Sequence, residues 1–490
     1  MGMKLDLLLK ALDDATVNGT TACKIAGVVC DSRQVRPGYL FAAIHGSSRD
    51  GAQFVDDALA RGAVAVISEQ PAPARKDVTW IQTPDVRRAL GLAACCYYGD
   101  PAAQLAMVGI TGTNGKTTTA YLAARILEGA QRTPGLLTTV EYRIGDRTIP
   151  AGRTTPEATV LQSLLAQMVH VGCHSAVMEV SSHALDQKRT AGIDFDVAVF
   201  TNLSRDHLDY HQTMDNYFAA KALLFENLGR SRKPACAVIH IGDAWGQKLR
   251  GRVNPAARVL TYGLGPDAMV RADDLVLRGD GSTFRAVTPW GEAPVTLRLR
   301  GRYNVINALA ALAACGALGV GLDRMAEALA GMIAVPGRLE EIPARRGFQV
   351  FVDYAHTADA LEKVLTTLRE ITRGRLIVVF GCGGNRDAGK REPMGRVVAS
   401  LADYAIITSD NPRREPPLAI MEQIRRGFGS AAACELIEDR AAAIRRALQL
   451  AVSGDVVLVA GKGHETFQEL ATTMVPFDDR AAVRKELEQL

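Results

Sequence analysis

Short, nearly continuous apolar runs recur along this chain at 105–110, 175–180, 195–201, 235–240, 348–354, 375–381, 404–408 and 456–460. Each stops at glycine or polar residues, and helix-forming stretches lie between them. An unbroken apolar run of this kind predicts a strand buried on both faces, whereas a half-exposed strand would alternate. Strand and helix patterns taking turns therefore predict an α/β fold, with helices on both faces of mostly parallel sheets. The same pattern reaches the N-terminus: a helix is expected at 54–61, a strand at 63–68, and further strands after Ala26 and within 36–46. Helices are also expected over 117–130 and from Gly301 onward, where alanine dominates. Between 265 and 300 the rhythm changes to short alternating runs with glycine turns, as in 282–287 and 295–300, which predicts an antiparallel insertion. Glycine and proline break the pattern at Tyr98-Gly-Asp-Pro101 and at Val335-Pro-Gly-Arg338, dividing the chain into three domains at 1–102, 103–335 and 336–490.

In open parallel sheets ligands gather at the carboxyl ends of the strands, so the polar residues there carry the chemical argument. The run 105–110 breaks into Gly-Thr-Asn-Gly-Lys-Thr-Thr at 112–118 and then a helix. That is the setting of a phosphate-binding loop: glycines let backbone N–H groups converge on phosphate oxygens, and the helix points its positive end at them. Lys116 is placed to reach the outer phosphates, and the Thr117 hydroxyl to sit on a magnesium ion. The loop is shorter than the usual G-x-x-x-x-G-K-[ST], since Ile110 stands five positions before Gly115. Glu179 closes an apolar strand and suits magnesium, which prefers hard oxygen donors and keeps several waters. His207, in Asp206-His-Leu-Asp209, is either a ligand to a second metal or a residue that orients its loop.

Lys221 lies in an otherwise apolar helical stretch, 216–226. A free ammonium there is costly to bury unless it is paired or chemically altered, and spacing alone favours a side chain that reaches the surface. Asn304 and Asn307 either bond a base or cap the helix they open. Asp31-Ser-Arg33 and His45-Gly46, taken alone, read as solvated turns. The third domain carries four polar strand ends, at 353–356, 381–386, 409–413 and 461–465, which describe a second ligand-binding rim.

Composition narrows the class. With 48% hydrophobic and 22% charged residues the chain is globular, and a net charge of +4 over 490 residues does not point to nucleic acid. Its nine cysteines include no CxxC pair, which argues for reduced thiols in a cytoplasm and against a zinc or disulfide framework. No run of about 20 apolar residues predicts a membrane span, and the N-terminus lacks a signal-peptide pattern.

Together these stretches resemble the Mur ligase family along the whole chain. The resemblance rests on Asp31-Ser-Arg33, the 112–118 loop, Thr154-Thr-Pro-Glu157, Met178-Glu-Val-Ser-Ser-His183, Gln187-Lys-Arg189, Asp206-His-Leu-Asp-Tyr-His211, Ala220-Lys221, Asp353-Tyr-Ala-His356, Asp410-Asn-Pro-Arg413 and Gly461-Lys-Gly-His-Glu465. It implies a uridine-nucleotide domain, a central ATP-binding phosphate-loop domain and a Rossmann-like amino-acid domain. It implies a monomeric cytoplasmic amide ligase of peptidoglycan synthesis that uses ATP and Mg2+ through an acyl phosphate. Implied contacts to ATP are Gly112, Thr113, Asn114, Gly115, Lys116, Thr117, Thr118, Asn304, Arg338 and Asp353. For a UDP-N-acetylmuramoyl-dipeptide they are Ser32, His45, Thr154, Thr155, Ser181, Gln187 and Arg189. Thr117, Glu179, His207 and Lys221 match magnesium positions, Lys221 as a carbamate formed with carbon dioxide; Lys116, Lys221 and His207 are the implied catalytic residues.

In the family, Asp-Asn-Pro-Arg goes with meso-diaminopimelate. Arg386, Asp410, Asn411, Pro412, Arg413, Gly461 and Glu465 would hold it, the arginines gripping the carboxylate that lysine lacks. Asn385 stands where Asp is expected, and Ala358 where Pro is expected. A nucleotide-gated switch is the alternative from another class, and it would hydrolyse ATP without regard to either acceptor.

Overall fold

The computed structural model describes residues 2–46, 50–73, 77–230, 233–429 and 434–490. Three sheets organise it. The first has five strands in the order Thr16–Asn18, Thr79–Gln82, Ala63–Ser68, Tyr39–Ala42, Gly27–Val29, antiparallel only at its first pairing. Helix Val86–Tyr97 covers one face through Val86, Ala89, Leu90 and Ala93, and starts where the Asp85 carboxylate accepts the Arg88 N–H.

The central sheet has eleven strands, of which the middle ones are parallel. Strand Ala106–Thr111 lies between Ser175–Glu179 and Val197–Phe200, all three fully apolar in their interiors, as burial on both faces demands. Helices Lys116–Gly129 and Arg302–Ala317 cover one face, and Ala158–His170 with Met214–Glu226 covers the other. Ala310, Ala311, Ala313 and Ala314 are wholly buried, so the alanine-rich pattern reports close helix packing. The segment 265–300 is antiparallel, though not a separate insertion. Val270 and Arg271 pair in parallel with Tyr262 and Gly263, so Val270–Arg278, Gly281–Thr288 and Gly291–Leu297 extend the central sheet. At the opposite edge, Pro134–Leu137, Glu141–Ile144 and Arg147–Pro150 were not legible in the sequence, being four residues each and opened in one case by proline.

The third sheet has six strands, with Val456–Ala460 at its centre between Gln349–Asp353 and Leu376–Phe380. Only its Glu340–Ile342 edge is antiparallel. A two-stranded hairpin, Phe467–Leu470 with Thr473–Pro476, follows the last parallel strand and bridges to Arg413. Among the described residues no helix is long and apolar enough to cross a membrane.

Candidate active site

The three adjacent central strands bring three strand ends together: the loop 112–115, the turn after Glu179 and the turn 201–207. Gly115 has φ +87 and caps the helix that starts at Lys116. A Cβ there would meet Asn307 Oδ1 at 2.4 Å, so only glycine lets the loop pass so close to the long helix. The loop is pinned from behind, since the Thr113 N–H donates to Asn202 O and the Asn114 N–H to Asn202 Oδ1. Lys116 Nζ folds back on the loop, donating to Gly112 O at 3.0 Å and Thr113 O at 2.8 Å. Burial lowers the pKa of its amine, and Glu179 opposes the shift.

Glu179 is wholly buried beside this loop. Its Oε1 accepts from the Thr117 hydroxyl at 2.8 Å and from the Thr139 N–H at 3.0 Å, and Thr139 Oγ1 lies 3.2 Å from Oε2. The residues assigned by resemblance to the muramoyl-dipeptide continue outward from it. Thr154 Oγ1 is 3.1 Å from Thr139 Oγ1, the Thr155 hydroxyl donates to Glu179 O, and the Ser181 N–H donates to Thr155 Oγ1. Arg189 donates to Thr155 O and Gln187 Oε1, and pairs with Glu157 at 3.2 Å. Its Nε is buried with no protein acceptor.

His207 has φ +56 and lines the same cavity. Burial outweighs the pull of Asp206 and brings its imidazole down to about 3, so it is neutral. Lys221 is 2% exposed and, among the described residues, forms no ion pair. It donates to Gly112 O at 2.8 Å and lies 4.6 Å from the Tyr217 ring centre. Burial drives its pKa well down, and Lys116 adds to the effect, although Asp206 pulls it up. The ammonium expected to reach the surface instead sits under the phosphate loop.

The third domain supplies the facing wall. Arg338 donates to Thr117 Oγ1 at 2.9 Å and lies 4.3 Å from the Tyr354 ring centre. Asp353 is buried, accepting from the Leu339 and Ala355 N–H groups; burial raises its pKa and Arg338 opposes. A cavity of about 210 Å3 between the domains is lined by Lys116, Thr117, Glu179, His207, Arg338 and Asp353, among others. Asn307 lines it, whereas Asn304 faces a neighbouring cavity and donates to Arg300 O, next to the helix start.

Of the second rim the 353–356 strand end lines that cavity, whereas the residues assigned to diaminopimelate are not among its described lining residues. Glu465 accepts from Asn411 Nδ2 at 2.8 Å and Lys462 Nζ at 2.9 Å. Asp410 is buried against Gly461; burial raises its carboxyl, but Lys462 and Arg440 hold it below the usual range. Arg413 pairs with Glu469 at 2.8 Å and donates to Gly384 O, Pro412 turns the chain into it, and Arg386 is exposed. In the first domain Ser32 is buried, while His45 is exposed and sits 3.5 Å from Asp50. Neither is brought to the central cavity.

Sequence reasoning missed Thr139, Asp359 and Lys390. Asp359 accepts from Asn114 Nδ2 at 2.6 Å across the domain gap, and buried Lys390 lies 3.4 Å from Asp206. Burial raises the Asp206 carboxyl, but Lys390 and the flanking His356 and His207 hold it well below the usual range. Thr139 had one available signal, its place just past an apolar Leu-Leu pair.

A phosphate loop on one sheet and a strand-end rim on another, closing on one cavity, define a nucleotide-dependent enzyme that joins two substrates. Family models described as Mur ligase family, catalytic domain; Mur ligase middle domain; and Mur ligase, glutamate ligase domain match residues 24–98, 110–315 and 337–463. The chain belongs to the Mur ligase family. It is 45% identical to the UDP-N-acetylmuramoyl-L-alanyl-D-glutamate--2,6-diaminopimelate ligase of Geobacter metallireducens, over 100% of this chain and 99% of that one. A solved structure of a ligase of the same name is 35% identical with a TM-score of 0.69, covering 100% and 99%. The MurF ligase of Thermotoga maritima, solved in complex with ADP, shares the fold at 21% identity and a TM-score of 0.64, covering 94% and 98%.

Proposed function

We propose that this chain is the ATP-dependent ligase that adds meso-2,6-diaminopimelate to UDP-N-acetylmuramoyl-L-alanyl-D-glutamate, forming ADP and phosphate in peptidoglycan precursor synthesis. The observation that carries the reading is full-length identity of 45% to a ligase so named. The cleft supports it, since phosphate loop and third-domain residues share one wall. We assign 1–102 to the uridine nucleotide, 103–335 to ATP and 336–490 to the amino acid. The setting would be cytoplasmic, the chain a monomer, and the product a precursor for cell-wall growth and division.

Lys116 would neutralise the γ-phosphate as it passes to the D-glutamyl carboxylate, breaking the bond to ADP and leaving an acyl phosphate. The diaminopimelate amine then adds to the acyl carbon, its proton leaves, and phosphate departs with the bonding pair. Arg189, with a buried Nε lacking a protein acceptor, suits a substrate carboxylate. Thr117 and Glu179 fit magnesium: a buried carboxylate meets a hydroxyl at 2.8 Å, and phosphate oxygens and water would complete the hard-oxygen set. Magnesium would supply charge neutralisation on the phosphates. Lys221 fits the carbamate, because burial lowers its pKa and so favours the neutral amine, the form that adds carbon dioxide with release of one proton. Arg386 and Arg413 would grip the distal carboxylate and Glu465 an ammonium. Asn304, Arg338 and Asp353 would hold the nucleotide. A cavity of about 210 Å3 is smaller than the roughly 300–1,000 Å3 usual for ligand pockets, so the domains must part to load it.

An amino-acid panel assayed for phosphate release with ATP and the UDP-muramoyl-dipeptide tests the reading. Release should require both acceptors and favour diaminopimelate over lysine. Release indifferent to either would establish a switch instead.

A further inference from the structure

The amino-acid loop 461–465 reaches across to the central-domain wall at one side chain. His464 Nε2 lies 3.2 Å from Thr139 O, 325 positions away in the chain. A carbonyl oxygen only accepts, so the ring proton sits on Nε2. Its Nδ1 is buried with no partner, and the Tyr354 ring centre lies 5.0 Å away. Thr139 is the residue that holds Glu179 through its N–H and hydroxyl, and the next residue after His464 is Glu465. The contact therefore joins the rim assigned to the amino acid to the carboxylate beside the phosphate loop.

The backbone makes a second link. A Cβ at Gly337 would lie 2.2 Å from His464 N, and one at Gly463 would lie 2.6 Å from Gly337 O and 2.8 Å from Tyr354 Cβ. The loop backbone thus packs closely on Gly337, whose neighbour Arg338 donates to Thr117 Oγ1. Thr117 in turn donates to Glu179. Both routes end on the same pair.

We propose that His464 is a positioning residue that couples the two sites, so that a filled amino-acid pocket and a filled nucleotide site favour one another. The inference rests on the substrate reading given above. Amino acid held by Glu465 fixes the loop, His464 then fixes Thr139, and Glu179 is set before the nucleotide arrives. The second ligand meets a site already ordered, and linkage makes the benefit mutual.

Calorimetric titration of the full chain, saturated with UDP-muramoyl-dipeptide, tests this with a non-hydrolysable ATP analogue in the presence and absence of diaminopimelate. The wild type should bind the analogue about 5- to 150-fold more tightly when diaminopimelate is present. In H464Q the amide still reaches Thr139 O, and the enhancement should persist. In H464N the donor is too short, and the enhancement should fall below about 2-fold, while each ligand alone binds nearly as before. General loosening would instead weaken both ligands singly. An unchanged enhancement in H464N, or none in the wild type, overturns the coupling role alone. Absence of diaminopimelate binding to the wild type under every condition overturns both the role and the substrate reading.

Discussion

Two buried cations lie at the strand ends of the two large sheets, and their surroundings differ completely. Arg440 in the third domain has no exposed side-chain surface, and Asp479, equally buried, meets it through Nε and Nη2 at 2.7 Å each. It also donates to Ala460 O and Ser409 O, tying two strand ends to the C-terminal helix Asp479–Gln489. Burial lowers its pKa, but Asp479 outweighs that and raises it. Lys221 in the central domain donates to a carbonyl oxygen and lies over a ring face, with no ion pair among the described residues. A guanidinium with a matched carboxylate stays charged and acts as a strut under the Asp410 loop. An amine buried with no ion-pair partner among the described residues has its pKa driven well down, against the pull of Asp206. The difference is that between a charge fixed by a matched partner and an amine whose ionisation burial disfavours.

The largest expected effect is on the strut. Asp479→Asn leaves the Arg440 charge buried against a neutral amide and should cost about 3–5 kcal/mol of stability, read as a lower midpoint in denaturant melts. A midpoint equal to wild type would mean that Arg440 is neutralised elsewhere. Next, Lys221→Ala should reduce turnover by about 100-fold or more with little change in melting, and short carboxylic acids should restore part of it by standing in for a carbamate. A variant that melts early but turns over normally would reverse the comparison.

Arg413→Ala should raise the diaminopimelate KM by about 10- to 100-fold, the worth of a charge-assisted hydrogen bond, and leave the ATP KM much less altered. Unchanged KM values for both substrates would remove Arg413 from the pocket. The smallest effect is acid sensitivity. Burial holds His183 and His464 neutral, lowered from 6.5 to about 4 and about 3. The unfolded chain takes up those protons first. Their contribution is therefore complete above pH 6.5 and fades as pH falls through about 4 and about 3. Melting temperature should drop across that window, and less steeply in H464Q.

The central parallel strands were legible because burial on both faces demands unbroken apolar runs, which can be seen without knowing neighbours. Lys116, Thr117 and Glu179 were legible for a related reason: glycine spacing and a charge closing an apolar strand are local features. Lys221 was not. Its spacing fits a solvent-seeking lysine, the family resemblance alone singled it out, and the packing of helix Met214–Glu226 beneath Gly112 shows the amine buried against a carbonyl oxygen. Thr139, Asp359, Lys390 and the contact of His464 lay equally out of reach, since each meets a partner far away in the chain. Sequence by itself determined the doubly buried parallel strands and the glycine loop between strand and helix, because backbone preference and burial are written locally. Tertiary structure alone decided which side chains meet across the cleft, because hydrogen bonds and desolvation depend on distances that chain order does not encode.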